Sequence, residues 1–246
     1  MTTAKPKKDQ AAKNGSESTV PRFAVLLEWE TVVLRGRKEV FTLLEQSLKK
    51  AGVEGFGHIP FCRACQVLQP ELLVPAVLRD LNADEDVAAK VTEDLKKVLT
   101  AYYTAEGTKL APGIKEFVQR ALDGNFAVGF VSLRPAEEVK ELAARAGLDS
   151  EKLTVLNGAE GAGPDYPDAK TWMLAAKECG CLPRACVAVA GSAKGCNGAL
   201  TAAMRCIAVP DEFTDYQDFG GAEYVLDSLK TCDPGDLKAL LSPHEE

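Results

Sequence analysis

Phe23-Ala-Val-Leu-Leu-Glu-Trp-Glu-Thr-Val-Val33 is the stretch whose reading decides the fold. Five apolar residues run without alternation into two acids, Glu28 and Glu30, separated by Trp29. A short apolar run of this kind is the pattern of a strand buried on both faces, and such strands belong to parallel sheets covered by helices. Alternate residues leaving a strand project the same way, so the spacing predicts two carboxylates side by side at one strand end.

Downstream, Val40, Leu44, Leu48 and Ala51 recur at helical spacing, and Gly52 supplies a stop. Helical patterning continues from 61 to 104, with Val74, Val77, Leu78 and Leu81 on one face and Val87, Val91, Leu95 and Leu99 on another. Strands and helices then alternate. Pro112 is read as the first turn of a helix running to Leu122. Strands are expected at Phe126–Ser132, Leu153–Leu156, Val187–Ala190, Cys206–Val209 and Glu223–Leu226, and helices at Pro135–Ala146, Asp168–Cys179 and Ala199–Met204. This alternation predicts an α/β fold, a doubly wound parallel sheet with a small helical cap inserted after the first strand. The divisions are a disordered tail over 1–20, a core over 21–36 and 107–246, and a cap over 37–106.

Composition narrows the function. A net charge of -7 and a pI near 5.1 argue against a nucleic-acid partner, because phosphate-backbone affinity rests on clustered Lys and Arg. No run approaches the roughly 20 apolar residues of a membrane span, and no apolar leader is seen, so a cytoplasmic location is expected. The eight cysteines are then free thiols. Cys62-Arg-Ala-Cys65 with His58, and Cys179-Gly-Cys181, have metal-like spacing, but buried apolar thiols are the preferred reading over a zinc site.

Four segments carry polar residues where the predicted strands end: Glu28 and Glu30; Phe130-Val-Ser-Leu-Arg-Pro135, ending its strand at Ser132; Tyr166-Pro-Asp-Ala169 ahead of Ala175-Ala-Lys-Glu-Cys-Gly180; and Ala190-Gly-Ser-Ala-Lys-Gly195. In this order they resemble the haloacid dehalogenase (HAD) superfamily, in its β-phosphoglucomutase- and phosphoglycolate-phosphatase-like branch, over roughly residues 22–229. The resemblance implies that Glu28 stands at the nucleophile position and Glu30 at the acid/base position, where the family has Asp. It implies that Ser132, Ser192, Lys194 and Tyr166 face a phosphoryl group, with Tyr166 in place of a lysine. It places Gly191 where an acidic magnesium ligand is usual. Lys170, one helical turn beyond Tyr166, is an alternative cation. An extra methylene moves a carboxylate oxygen by about an ångström, and misplacement of that order costs on the order of 100-fold in rate. A phenol does not neutralise phosphoryl charge as an ammonium does. Nucleophile, charge partner and metal ligand are therefore altered together.

The expected function is a HAD-like protein without metal-dependent phosphatase activity that binds a protein partner or a small anionic ligand. On this reading no cofactor is expected and no residue ligates metal. The alternative is an atypical HAD hydrolase, a phosphatase or phosphomutase with Glu28 as nucleophile, and that alternative alone calls for Mg²⁺. A structural subunit attached through the lysine-rich tail is a third reading.

Overall fold

A computed structural model describes residues 23–105, 108–158 and 162–241. The tail expected over 1–20 lies outside the described residues. The sheet consists of β1 (Phe23–Glu28), β2 (Phe126–Ser132), β3 (Leu153–Asn157), β4 (Cys186–Ala190), β5 (Arg205–Ala208) and the short edge strand β6 (Tyr224–Val225). The six strands pair in the order β3-β2-β1-β4-β5-β6, all parallel. The chain leaves β1 toward β2 and β3, then returns to β4 on the other side. That reversal opens a crevice at the carboxyl ends of β1 and β4, the place where sheets of this kind bind ligands.

Helices α1 (Arg37–Lys50), α2 (His58–Ala64), α3 (Pro70–Asp80) and α4 (Ala88–Thr104) follow β1 before the chain returns to the sheet. α4 packs on both α1 and α3. The sheet is flanked by α5 (Ile114–Asp123), α6 (Ala136–Arg145), α7 (Ala169–Glu178), α8 (Ala193–Thr201) and α9 (Pro234–Leu241). Strand alternation sorts the core onto two faces. Val25, Leu27, Phe130, Val187 and Val189 join one apolar cluster, and Ala24, Leu26, Val131, Ala188 and Ala190 the other. The first cluster is continuous with Val40, Leu44, Val74, Leu95 and Leu99 of α1 to α4, so those helices share a core with the sheet.

Three local readings are corrected. Helix α5 begins at Ile114 rather than in a turn opened by Pro112. Its N-cap is Gly113 at φ 86°, where a side chain would fall 2.6 Å from the Lys230 Cα. Helix α8 spans Ala193–Thr201 instead of Ala199–Met204, because Ser192 caps it by accepting the Gly195 N–H. Strand β1 ends at Glu28, and Trp29–Val33 winds into one π-helical turn closed by Leu34 N–H to Trp29 O at 2.9 Å. Strand alternation therefore does not position Glu30; the π turn does. Such turns are rare and concentrate at functional sites.

Candidate active site

Glu28 ends β1 with its side chain almost fully buried. One carboxyl oxygen, Oε2, accepts the Thr31 hydroxyl from the π turn, and Oε1 has no partner. A Cβ built on Gly195 would lie 2.0 Å from Oε1, so the carboxyl is pressed against the bare main chain of α8. The longer glutamate side chain fits because residue 195 has none. Burial raises the Glu28 pKa above its usual 4.5, against the lowering effects of Thr31, Arg37 and the Gly191 backbone.

Glu30 is equally buried but turned toward β2. Its Oε1 accepts the Ser132 hydroxyl at 2.6 Å and the Leu133 N–H at 2.9 Å. Burial again raises the pKa, opposed first by the Ser132 bond. Ser132 Oγ in turn accepts the Arg134 N–H at 3.0 Å, so its single proton is already committed to Glu30.

The other residues singled out from sequence scatter. Tyr166 is buried over the same strand ends, its hydroxyl without a partner and its ring against Gly158. Burial, then the nearby Glu30 and Glu28 charges, push that phenol well above its ordinary pKa and hold it neutral. Ser192 is fully buried and spent on capping α8. Lys194 turns outward, donating to the Pro164 carbonyl at 2.6 Å and pairing with Asp165 at 3.2 Å. Lys170 is exposed on α7. The structure thus gathers Glu28, Glu30, Ser132, Tyr166 and Gly191 and leaves both lysines out.

Sequence reasoning missed Arg37 and Asp211. Arg37 is fully buried, donating from Nη1 to Asp211 Oδ2 at 2.9 Å and from Nε to the Cys65 carbonyl at 3.2 Å. Burial opposes its charge, but Asp211, the Cys65 thiol and Glu28 outweigh that effect and raise its pKa. Asp211 also accepts the Phe213 N–H at 3.0 Å. Because 174 positions separate the pair, no local pattern announces it. The cysteines are free thiols: Cys62 Sγ lies 3.3 Å from His58 Nδ1, and burial pushes the Cys65 pKa up to about 12.

Two spaces adjoin these groups. The first, lined by Glu28, Glu30, Thr31, Val67, Tyr166 and neighbours, measures about 10 Å³, room for roughly one water-sized sphere. A larger cleft of about 260 Å³ opens beside it between Glu30, Gln69, Lys96, Tyr103 and Arg134. The Arg134 guanidinium lies 4.3 Å over the Tyr103 ring, and its Nε lacks a partner.

No family model matches the chain. It is 24% identical over 223 residues to the chloroplastic 5-amino-6-(5-phospho-D-ribitylamino)uracil phosphatase of Arabidopsis thaliana, covering 89% of this chain and 57% of that one. CbbY from Rhodobacter sphaeroides, solved with phosphate, superposes with a TM-score of 0.71 at 19% identity, over 85% of this chain and 96% of that one. The β-phosphoglucomutase of Clostridium difficile superposes at 0.73 and 15% identity, over 89% and 97%. The chain resembles proteins of the haloacid dehalogenase superfamily in sequence and shares their fold. Its fold is also that of a predicted phosphoglycolate phosphatase from Haemophilus somnus, and it spans a little over half the length of the curated relatives it matches.

The magnesium ion implied by the HAD resemblance meets a poor donor set. Residue 191 offers no carboxylate, and a Cβ there would sit 2.8 Å from Thr31 Oγ1 and 3.3 Å from Arg37 Nη1. Among the described residues no group of three or more His, Cys, Asp or Glu side chains is arranged to hold a metal. Among the described residues Glu28 Oε1 is the one buried carboxylate oxygen without a partner, whereas Mg²⁺ demands near-octahedral oxygen coordination. These residues do not fit the ion. Among the described residues no helix is long and apolar enough to cross a membrane.

Proposed function

We propose that this HAD-fold protein has exchanged metal-dependent phosphoryl transfer for binding. The observation that carries the reading is the filled site: about 10 Å³ remains around Glu28, Glu30 and Tyr166. That is room for about one water, and a phosphoryl group carries three oxygens around phosphorus. Glu28 also lacks what a nucleophile needs, since burial favours its neutral form and Tyr166 brings no positive charge. The binding function is assigned to the adjoining cleft, where Arg134, paired with Glu138, and Lys96, paired with Glu71 and Glu93, would have to exchange a carboxylate for a small anion, with a protein partner as the other occupant. The expected location is the cytoplasm.

The names of the relatives favour a second reading, an atypical HAD phosphatase or phosphomutase using Glu28 as nucleophile with Mg²⁺. Hydrolysis of an aryl phosphate with and without Mg²⁺, by wild type and Glu28→Ala, separates the two. The binding reading expects no difference among the four conditions. Mg²⁺-dependent turnover abolished by Glu28→Ala establishes the second reading instead.

A further inference from the structure

A buried acid at a sheet's carboxyl end needs positive charge or a proton, and this site contains a cation of its own. Arg37 opens α1, yet none of its side chain reaches solvent. Nη1 holds Asp211, Nε holds the Cys65 carbonyl, and Nη2 is buried without a partner. The reach of this guanidinium is marked by Gly191. A methyl group there would stand 3.3 Å from Nη1 and 2.8 Å from the Thr31 hydroxyl that donates to Glu28. Arg37, Thr31, Glu28 and the Gly191 main chain therefore share one small volume where β1 and β4 end. A side chain placed on residue 191 would meet the Thr31 hydroxyl and then this guanidinium.

We propose that Arg37 is a built-in counter-ion that stands in for a divalent cation: anchored by Asp211, it supplies the site's positive charge from within the chain and excludes a metal ion. Two cations do not share a buried volume of this size, because neither is screened by water from the other. The same side chain works as a clasp. Carried by α1, it is anchored on the turn after α2 and on the loop after β5. That loop adds the Tyr216 hydroxyl, donating to the Cys62 carbonyl at 3.0 Å, and Phe213, packed on Phe41 and Phe61. One guanidinium thus takes part in both charge balance and closure of the helices over the sheet.

The inference stands apart from the loss of turnover. Metal-independent phosphatase activity would defeat the binding reading and leave Arg37's role intact. A metal bound with Arg37 in place would defeat this inference alone. The test uses the full chain, with Mn²⁺ binding followed by electron paramagnetic resonance and melting temperature followed with Mg²⁺, Mn²⁺ and guanidinium. Wild type is expected to bind no Mn²⁺ and to keep its melting temperature. Arg37→Ala vacates a space faced by Glu28 and Asp211, so Mn²⁺ or guanidinium should raise its melting temperature by roughly 5–10 °C at about 100 times Kd. Adding Glu28→Gln and Asp211→Asn should abolish the Mn²⁺ response. Stoichiometric Mn²⁺ binding by wild type overturns the proposal, as does a folded Arg37→Ala that answers to neither ion. If Arg37→Ala does not fold, Arg37→Lys retains the charge and should be silent toward Mn²⁺; binding by that variant overturns the proposal equally.

Discussion

Breaking the Arg37–Asp211 pair is the most informative perturbation of stability, because the two halves are unequally supported. Arg37→Met removes a bond of 2.9 Å and another of 3.2 Å, but Asp211 keeps the Phe213 N–H at 3.0 Å and a longer contact to the Thr214 hydroxyl at 3.4 Å. Removing one partner of a buried ion pair costs about 3–5 kcal/mol, and the surviving bonds to Asp211 place Arg37→Met near 3. Asp211→Ala leaves a fully buried guanidinium with only the Cys65 carbonyl and also undoes the turn at 211–214. It belongs near 5 kcal/mol on the same scale. For a chain of this size those costs lower the melting temperature by roughly 6–12 °C and 10–20 °C. The double variant strands neither charge and should cost about 5 kcal/mol rather than the additive ~8, a coupling of about 3 kcal/mol. Urea unfolding of the four proteins at one pH, with m values compared, measures this. Costs that add within about 0.5 kcal/mol, or an Arg37→Met cost below about 1 kcal/mol, would refute the assignment of a desolvated, mutually dependent pair.

Three further outcomes are expected. Tyr166→Phe deletes a buried hydroxyl that has no partner, so chemical denaturation should find it neutral or stabilised by up to about 1 kcal/mol; a loss above that size would mean the hydroxyl is bonded. Gly195→Ala drives a methyl to within 2.0 Å of Glu28 Oε1 and should destabilise by about 1–3 kcal/mol. Glu28→Ala should relieve most of that loss, and equal costs in both backgrounds would show that Oε1 does not lie against residue 195. Glu28 and Glu30 have pKa values raised above 4.5 by burial, so the folded chain holds protons that the unfolded chain releases. Their contribution is fully present below about pH 4.5 and is lost as pH rises through the folded values, by up to ~1.4 kcal/mol per pH unit and group. The lowered Asp94 and Asp168 act oppositely, losing their contribution as pH falls from their usual 3.8 toward their lower folded values. Urea unfolding followed from about pH 4 upward should show the decline in wild type and a flatter profile in Glu28→Gln/Glu30→Gln; identical profiles would contradict the raised values.

The backbone was legible wherever burial imposes a period. Phe126–Ser132 reads as a continuous apolar run because β2 is covered on both faces, and α1, α3 and α4 show their buried stripes at helical spacing. Reading failed where glycine, proline and polar side chains make the decision. Gly195, Asn197 and Gly198 are weak helix formers, which hid the first turns of α8, although Ser192 carries an N-cap signal that would have found them. The candidate site divided along the same line. Glu28 and Ser132 could be placed from strand ends, but Glu30's position depends on the π turn, Ser132's commitment to Glu30 on contact across 102 positions, and Lys194's departure on the 164–165 loop. A local pattern records which face a residue occupies and carries no record of its distant partner.

Both functional readings finally turn on what stands in front of Glu28 Oε1. A nucleophilic carboxylate must be ionised and must offer an oxygen to phosphorus along an open line. Here Oε2 is occupied by Thr31, and Oε1 faces the Gly195 main chain so closely that a single methyl group would overlap it. An active hydrolase would therefore have to move the start of α8 away from β1. That start is fixed by the Ser192 cap and by the Trp172 Nε1–H bond to the Gly195 carbonyl at 3.0 Å. Gln217 also accepts the Ala193 N–H at 2.8 Å. Breaking buried bonds of this kind costs about 1 kcal/mol each even when water replaces the partner, and more when nothing does. Binding energy from an anion in the neighbouring cleft would have to meet that cost before chemistry began, whereas a binding protein leaves the arrangement as it is.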